Sequence, residues 1–121
     1  MTESRVNNIK AQMRKGILEY CILLLLSHKR AYPSDIIESL KEAELIVVEG
    51  TLYTLLNRLR KEGKLSYEWV ESTMGPPRKY FFITDQGRAE LEVMSAAWNE
   101  ISNTVNYFRN NIPLLPNEKD L

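Results

Sequence analysis

The stretch GTLYTLLNRLRKEGKL, residues 50–65, sets side chains that can contact nucleic acid at helical spacing. At about 100° per residue, Leu52, Leu55, Leu56 and Leu59 fall on one face, and Thr54, Asn57, Arg58 and Lys61 fall on the opposite one. Arginine can pair with guanine through two parallel hydrogen bonds, asparagine with adenine in the same way, and threonine can touch a base or a phosphate. Thr51, Thr54, Asn57 and Arg58 are therefore the candidate reading edge. Lys61, Lys64, Arg78 and Lys79 are candidate phosphate contacts, which would contribute affinity and salt dependence. Any exposed helix can carry such residues, so the helix alone leaves solvent and polyanion equally open. The Arg78–Lys79 pair just past Gly75-Pro76-Pro77 moves the balance toward a polyanion.

The elements that must position these groups can be read from periodicity. From Arg5 to about Ser27, apolar residues at Ile9, Met13, Ile17, Cys21 and Leu24 follow helical spacing, interrupted at Gly16. Pro33 suits the first turn of a second helix, over about residues 33–43, with Ile36, Ile37 and Leu40 on its apolar side. The third helix runs to about Glu62 and stops at Gly63, but its start at Glu49–Gly50 lacks a Ser, Thr, Asp or Asn cap. After Gly63 the period becomes two: Leu65, Tyr67 and Trp69 alternate with Ser66, Glu68 and Val70. STMGPP reads as a turn and RKYFFI as a second strand, which makes a hairpin. Thr84 then caps a long helix that must end before Pro113, and the residues beyond it read as a flexible tail.

Three helices, a hairpin and a long helix predict a mainly α (α+β) fold, a winged helix-turn-helix with a long C-terminal dimerisation helix. Residues 1–83 are the expected DNA-binding domain, with the N-terminal helix also contributing to the dimer. Residues 84–112 are the dimerisation helix, and 113–121 the tail.

With 121 residues, 44% apolar and 26% charged, the chain is most simply one soluble globular domain. Its single cysteine precludes an intrachain disulfide, and with no recognisable leader this points to the cytoplasm. Ile17–Leu26 is only half the length of a membrane helix and contains Glu19, so no membrane partner is expected. The net charge of zero hides an uneven distribution. Residues 1–30 hold six Lys/Arg against two Asp/Glu and residues 50–83 six against three, while 31–49 and 84–121 are acidic. A basic face therefore remains available on a neutral chain.

The last helix carries Leu91, Met94, Trp98, Ile101, Val105, Phe108 and Ile112 at alternating spacings of three and four, a heptad seam. A three-helix core offers little room to cover so long a stripe, which favours a second copy of the chain over packing back on its own domain. Ile9 and Met13 on the first helix are a second candidate surface for that homodimer. Catalysis finds little support. His28 is the sole histidine, Cys21 lies in the most apolar stretch, and no metal-spaced Cys/His cluster, phosphate-cradling loop or nucleophile elbow is present. No enzyme activity, cofactor or metal is expected.

TLYTLLNRLRKEGKL followed by GPPRKYFFITDQGRAEL resembles the PadR family of bacterial transcriptional regulators, most closely its short members with a single C-terminal helix. The resemblance spans about residues 9 to 110. It implies a homodimeric regulator, a repressor, on a roughly palindromic operator in double-stranded DNA. The recognition helix would be Thr51 to Lys61, including Tyr53, and the wing would carry Arg78–Lys79. Some members of the family stack flat, drug-like molecules on an aromatic residue of the last helix, in a cavity between subunits. Met13, Met94 and Trp98 are the residues here that would suit such a small hydrophobic effector, although a tryptophan on a heptad seam is more often dimer core. A winged-helix protein-interaction module without an operator is the alternative from a different class.

Overall fold

The computed structural model describes residues 2–111 and 113 of the chain. Its elements run α1 (Glu3–Arg14), α2 (Ile17–His28), α3 (Pro33–Glu42), α4 (Glu49–Lys61), β1 (Leu65–Ser72), β2 (Gly75–Ile83) and α5 (Asp85–Asn111). Ile112 and the expected tail from Leu114 onward lie outside the described residues.

The helix expected from Arg5 to Ser27 is in fact two. Gly16 adopts a left-handed backbone with φ of +88°, and the Lys15 N–H turns back to the Gln12 carbonyl at 3.3 Å to close α1. A Cβ at position 16 would touch nothing, so the hand of the backbone, not crowding, is what suits glycine there. None of α1 is buried, and its Ile9 and Met13 are exposed.

The core gathers one apolar stripe from each of α2, α3 and α4 and the inner face of the hairpin. Ile22, Leu23 and Leu26 meet Ile36 and Leu40, Leu52, Leu56 and Leu59, and Leu65, Phe81 and Ile83, all buried. Each such side chain contributes about 1.5–3 kcal/mol by leaving water. Ala31 ties the α2–α3 connection to the hairpin. Its N–H donates to the Phe81 carbonyl at 3.0 Å, and the Phe81 N–H donates back at 2.9 Å.

β1 and β2 pair antiparallel, with Leu65 opposite Ile83, Tyr67 opposite Phe81, Trp69 opposite Lys79 and Val70 opposite Arg78. The tip lies at Thr73–Met74, and Gly75, Pro76 and Pro77 belong to β2, where the sequence suggested a turn. Prolines cannot donate to a ladder, and here the register is irregular between Val70 and Ser72, the stretch facing them.

α4 begins as the sequence indicated, at Glu49 after Val48, with no side chain capping it. It ends on Gly63 at φ of +80°. The Gly63 N–H donates to Arg60 O at 3.0 Å and the Lys64 N–H to Leu59 O at 2.9 Å, the paired bonds of a left-handed glycine stop. The first turn of α5 sits on that corner. Thr84 Oγ1 donates to Gly63 O at 2.6 Å and accepts from the Gly87 N–H at 3.0 Å, while Gln86 Nε2 donates to Glu62 O at 3.0 Å. A Cβ at Gly87 would collide with the Lys64 carbonyl oxygen, so only glycine permits this approach.

The chain divides into two compact units, Met1–Leu91 and Glu92–Leu121. The first holds the core just described. In the second, the continuation of α5 leaves Trp98, Ile101, Val105 and Phe108 exposed by 42, 58, 50 and 60%. Among the described residues no helix is long and apolar enough to cross a membrane.

Candidate nucleic-acid interface

α4 buries Leu52, Leu56 and Leu59 and turns Thr51, Tyr53, Thr54, Asn57, Arg58 and Lys61 outward. Those outward groups divide between two adjoining surfaces. Gly50, Thr51, Thr54, Leu55 and Arg58 line a shallow face along the start and middle of the helix. Tyr53 and Asn57 look the other way, into a groove completed by Pro33 and Ser34 of α3 and by Trp69, Arg78 and Lys79 of the hairpin. The groove therefore brings together two elements that the sequence could only list side by side. Lys61 is exposed at the last turn of α4 and lines neither surface.

The cations of the wing are held in place by aromatic rings. The Arg78 guanidinium lies 3.9 Å from the centre of the Tyr32 ring, and its Nη2 donates to Ser34 Oγ at 2.8 Å. Lys79 Nζ stands 4.7 Å from the Tyr67 ring centre and 5.5 Å from that of Trp69. Such contacts contribute about 0.5–1 kcal/mol at exposed sites, enough to orient a side chain without discharging it. Thr54 Oγ1 donates to Gly50 O at 2.9 Å, which leaves the oxygen's lone pairs facing outward as acceptors.

Arg58 and Lys64 are joined by two carboxylates. Glu62 places Oε2 at 3.2 Å from Arg58 Nη1 and Oε1 at 3.2 Å from Lys64 Nζ. Glu19, reaching over from α2, places Oε2 at 3.7 Å from Arg58 Nη2 and Oε1 at 3.5 Å from Lys64 Nζ. A third carboxylate, Glu90 of α5, lies 3.6 Å from the same ammonium. Lys64 is only 18% exposed, and its three N–H donors face three carboxylates. The sequence suggested a phosphate contact for Lys64; the structure places it apart from the groove and occupied within the domain.

Partial burial works against the charge on Lys64, but the Glu62 hydrogen bond and the charges of Glu19, Glu90 and Glu62 outweigh it, so its pKa lies above the ordinary lysine value. The Lys64 hydrogen bond is the main reason that Glu62 is held below the usual carboxylate range, against slight desolvation and with the help of the Lys64 and Arg58 charges. Pairs open to water on one side add little net stability. Their main effect is on where the side chains point.

Sequence reasoning missed Ser34 and Trp69, which line the groove, and Tyr32, whose ring lies under Arg78. Tyr32, the N-cap of α3, and Ser34 in its first turn lie far from the basic motifs in sequence, and nothing local marks them as supports for Arg78. Trp69 is 61% exposed beside Lys79, and the alternation that put it on one side of the strand with Leu65 and Tyr67 did not say that it would line the groove. Of the residues considered for an effector, Met13 is exposed on α1, Met94 is half-buried and Trp98 partly exposed on α5. Burial pushes the Cys21 thiol up, away from a nucleophilic thiolate. Among the described residues no group of three His, Cys, Asp or Glu is placed to hold a metal ion.

A helix-turn-helix whose second helix and following hairpin share a basic groove defines a winged-helix protein. The Transcriptional regulator PadR-like family matches residues 22–93, from the middle of α2 into α5. A PadR-like transcription factor from Bacteroides fragilis is 61% identical, with 84% of this chain and 98% of that one covered at a TM-score of 0.72. A PadR-like transcriptional regulator from Bacillus cereus is 38% identical over 83% of this chain and 98% of that one, with a TM-score of 0.73. A PadR family regulator from Eggerthella lenta is 28% identical over 90% and 96% of the two chains, with a TM-score of 0.81. The chain belongs to the PadR-like family of transcriptional regulators, which are DNA-binding proteins and not enzymes.

Proposed function

We propose that this regulator is a homodimeric repressor that reads a roughly palindromic operator with α4 and grips the flanking backbone with its wing. The observation that carries the reading is the groove in which Asn57 and Tyr53 of α4 face Arg78 and Lys79 of the hairpin. Thr51, Thr54, Asn57 and Arg58 would meet base edges in the major groove, and Lys61, Arg78 and Lys79 would neutralise phosphates. Two such helices must stand about 34 Å apart to enter successive major grooves, and one chain carries only one. The stripe of Trp98, Ile101, Val105 and Phe108, with Ile9 and Met13 on α1, supports a second copy as its cover. A small hydrophobic effector that contacts Met13, Met94 or Trp98 would release DNA by preferring one spacing of the two helices. It would shift the population only by its differential affinity for the two arrangements. The protein would act in the cytoplasm, where the chromosome is.

The test is binding to the DNA just upstream of the protein's own gene and to a scrambled duplex, measured by anisotropy over a range of salt. The proposal expects preference for the native duplex, with log affinity falling linearly against log salt. Equal, weak binding to both would favour a protein-interaction module that uses the same basic groove on an acidic partner.

A further inference from the structure

Arg58 and Lys64 form a closed ring with Glu19 and Glu62. Glu19 gives one oxygen to the guanidinium and the other to the ammonium, while both oxygens of Glu62 reach Arg58 Nη1 and its Oε1 is shared with Lys64. Arg58 is half-exposed, so part of its donor fork still faces outward, while Lys64 is largely enclosed. The two carboxylates come from different places, one from α2 and one from the C-cap of α4, so the ring fixes the guanidinium from two directions. Lys64 sits where the bonds from Thr84 and Gln86, and the close approach of Gly87 to the Lys64 carbonyl, seat α5, and it reaches Glu90 on the same helix. A rotation of the first turns of α5 would therefore move Lys64, and through the two shared carboxylates it would move Arg58.

We propose that Lys64 is a positioning residue for Arg58, setting the aim of a base-reading guanidinium and linking it to the root of α5, rather than a phosphate contact. This rests on the reading of Arg58 as a base contact. A planar fork discriminates bases only when its two donors are aligned with the two acceptors of the base edge, so a mis-aimed guanidinium keeps its charge but loses its selectivity. A phosphate contact behaves in the opposite way. Its loss weakens every sequence alike and lowers the salt slope by about 0.9.

The experiment is a double-mutant cycle in the full-length protein, read as the ratio of affinities for a duplex selected by the protein from a random-sequence pool and for a scrambled control. Lys64→Met keeps the aliphatic stem and should lower that ratio by roughly five- to thirty-fold, with the salt slope unchanged. In an Arg58→Ala background the same change should alter the ratio by less than about twofold, because the residue through which Lys64 acts is gone. Glu62→Gln, which opens the ring without adding an apolar group, should show the same dependence on Arg58 and covers the case in which Lys64→Met folds poorly. A slope reduced by about 0.9, or equal losses in both backgrounds, would overturn the inference. An Arg58→Ala ratio equal to wild type would instead overturn the base-reading role beneath it.

Discussion

Gly50→Ala should make the free protein more stable and a poorer binder of DNA. Gly50 is the second residue of α4, has no positive φ, and a Cβ there would meet nothing within 4 Å. Alanine can therefore adopt the native backbone without strain. Helix propensity favours it by about 1 kcal/mol in a helix interior, and the stiffer unfolded chain contributes about 0.4–1 kcal/mol, overlapping with that figure. A gain of roughly 0.5–1 kcal/mol is expected this close to the end, or about 2–8 °C in melting temperature for a domain of this size. DNA binding should move the other way. Gly50 lines the shallow face with Thr51, Thr54 and Arg58, next to first-turn amides that no side chain caps. If a phosphate approaches those amides, a methyl group would push it off one charge-assisted hydrogen bond, worth about 1.5–3 kcal/mol, or roughly ten- to a hundred-fold in affinity. Thermal melts of the free protein and anisotropy titrations with the upstream duplex measure the two effects separately. A variant that is more stable and binds as tightly as wild type would refute the phosphate approach; one that is less stable would refute the open space around position 50.

Arg58→Ala is expected to relax sequence preference at one base position, and Lys79→Ala to weaken all duplexes alike and reduce the salt slope; competition assays with single-base operator variants at several salt concentrations distinguish them. Trp98→Glu and Ile101→Glu should each yield monomers by analytical ultracentrifugation, since a charge on an apolar seam costs more than one pair of side chains returns; an unchanged mass would reject the seam. The Arg58–Lys64 ring has a predictable pH window. Glu62, with its pKa lowered by folding, contributes stability above its unfolded value and loses it as pH falls through the folded one. Lys64, with its pKa raised, contributes below its unfolded value and loses it only as pH rises through the folded one. Both contributions are in place between the ordinary carboxylate and lysine values, so base selectivity measured at pH 6 and pH 9 should agree.

What the sequence made legible was local. The apolar periods of α3 and α4, the change of period after Gly63 and the Thr84 cap depend on residues a few positions apart, and each element stands where its pattern implied. Gly16 shows one limit, because helical spacing of Met13, Ile17 and Cys21 runs across it and does not distinguish a kinked helix from two helices. The wing shows another. Gly-Pro-Pro has turn composition, yet it forms the edge of β2, where an absent N–H costs little at the open end of a two-stranded ladder. Lys64 shows the deepest. It follows the recognition helix just as a phosphate ligand would, and only the fold brings Glu19 and Glu90 onto it from α2 and α5. Charge patterns identify a basic residue; the three-dimensional neighbours decide whether its charge is still available.

The chain contains two tryptophans, and they stand on different surfaces. Trp69 is exposed on the wing beside Lys79, and Trp98 lies on the apolar stripe of α5. Each of the two associations proposed for the protein thus has its own built-in fluorophore. With Trp98→Phe the remaining indole reports only on the wing, and with Trp69→Phe only on the stripe. The emission of two single-tryptophan proteins can then time DNA docking and subunit pairing separately, without an attached dye.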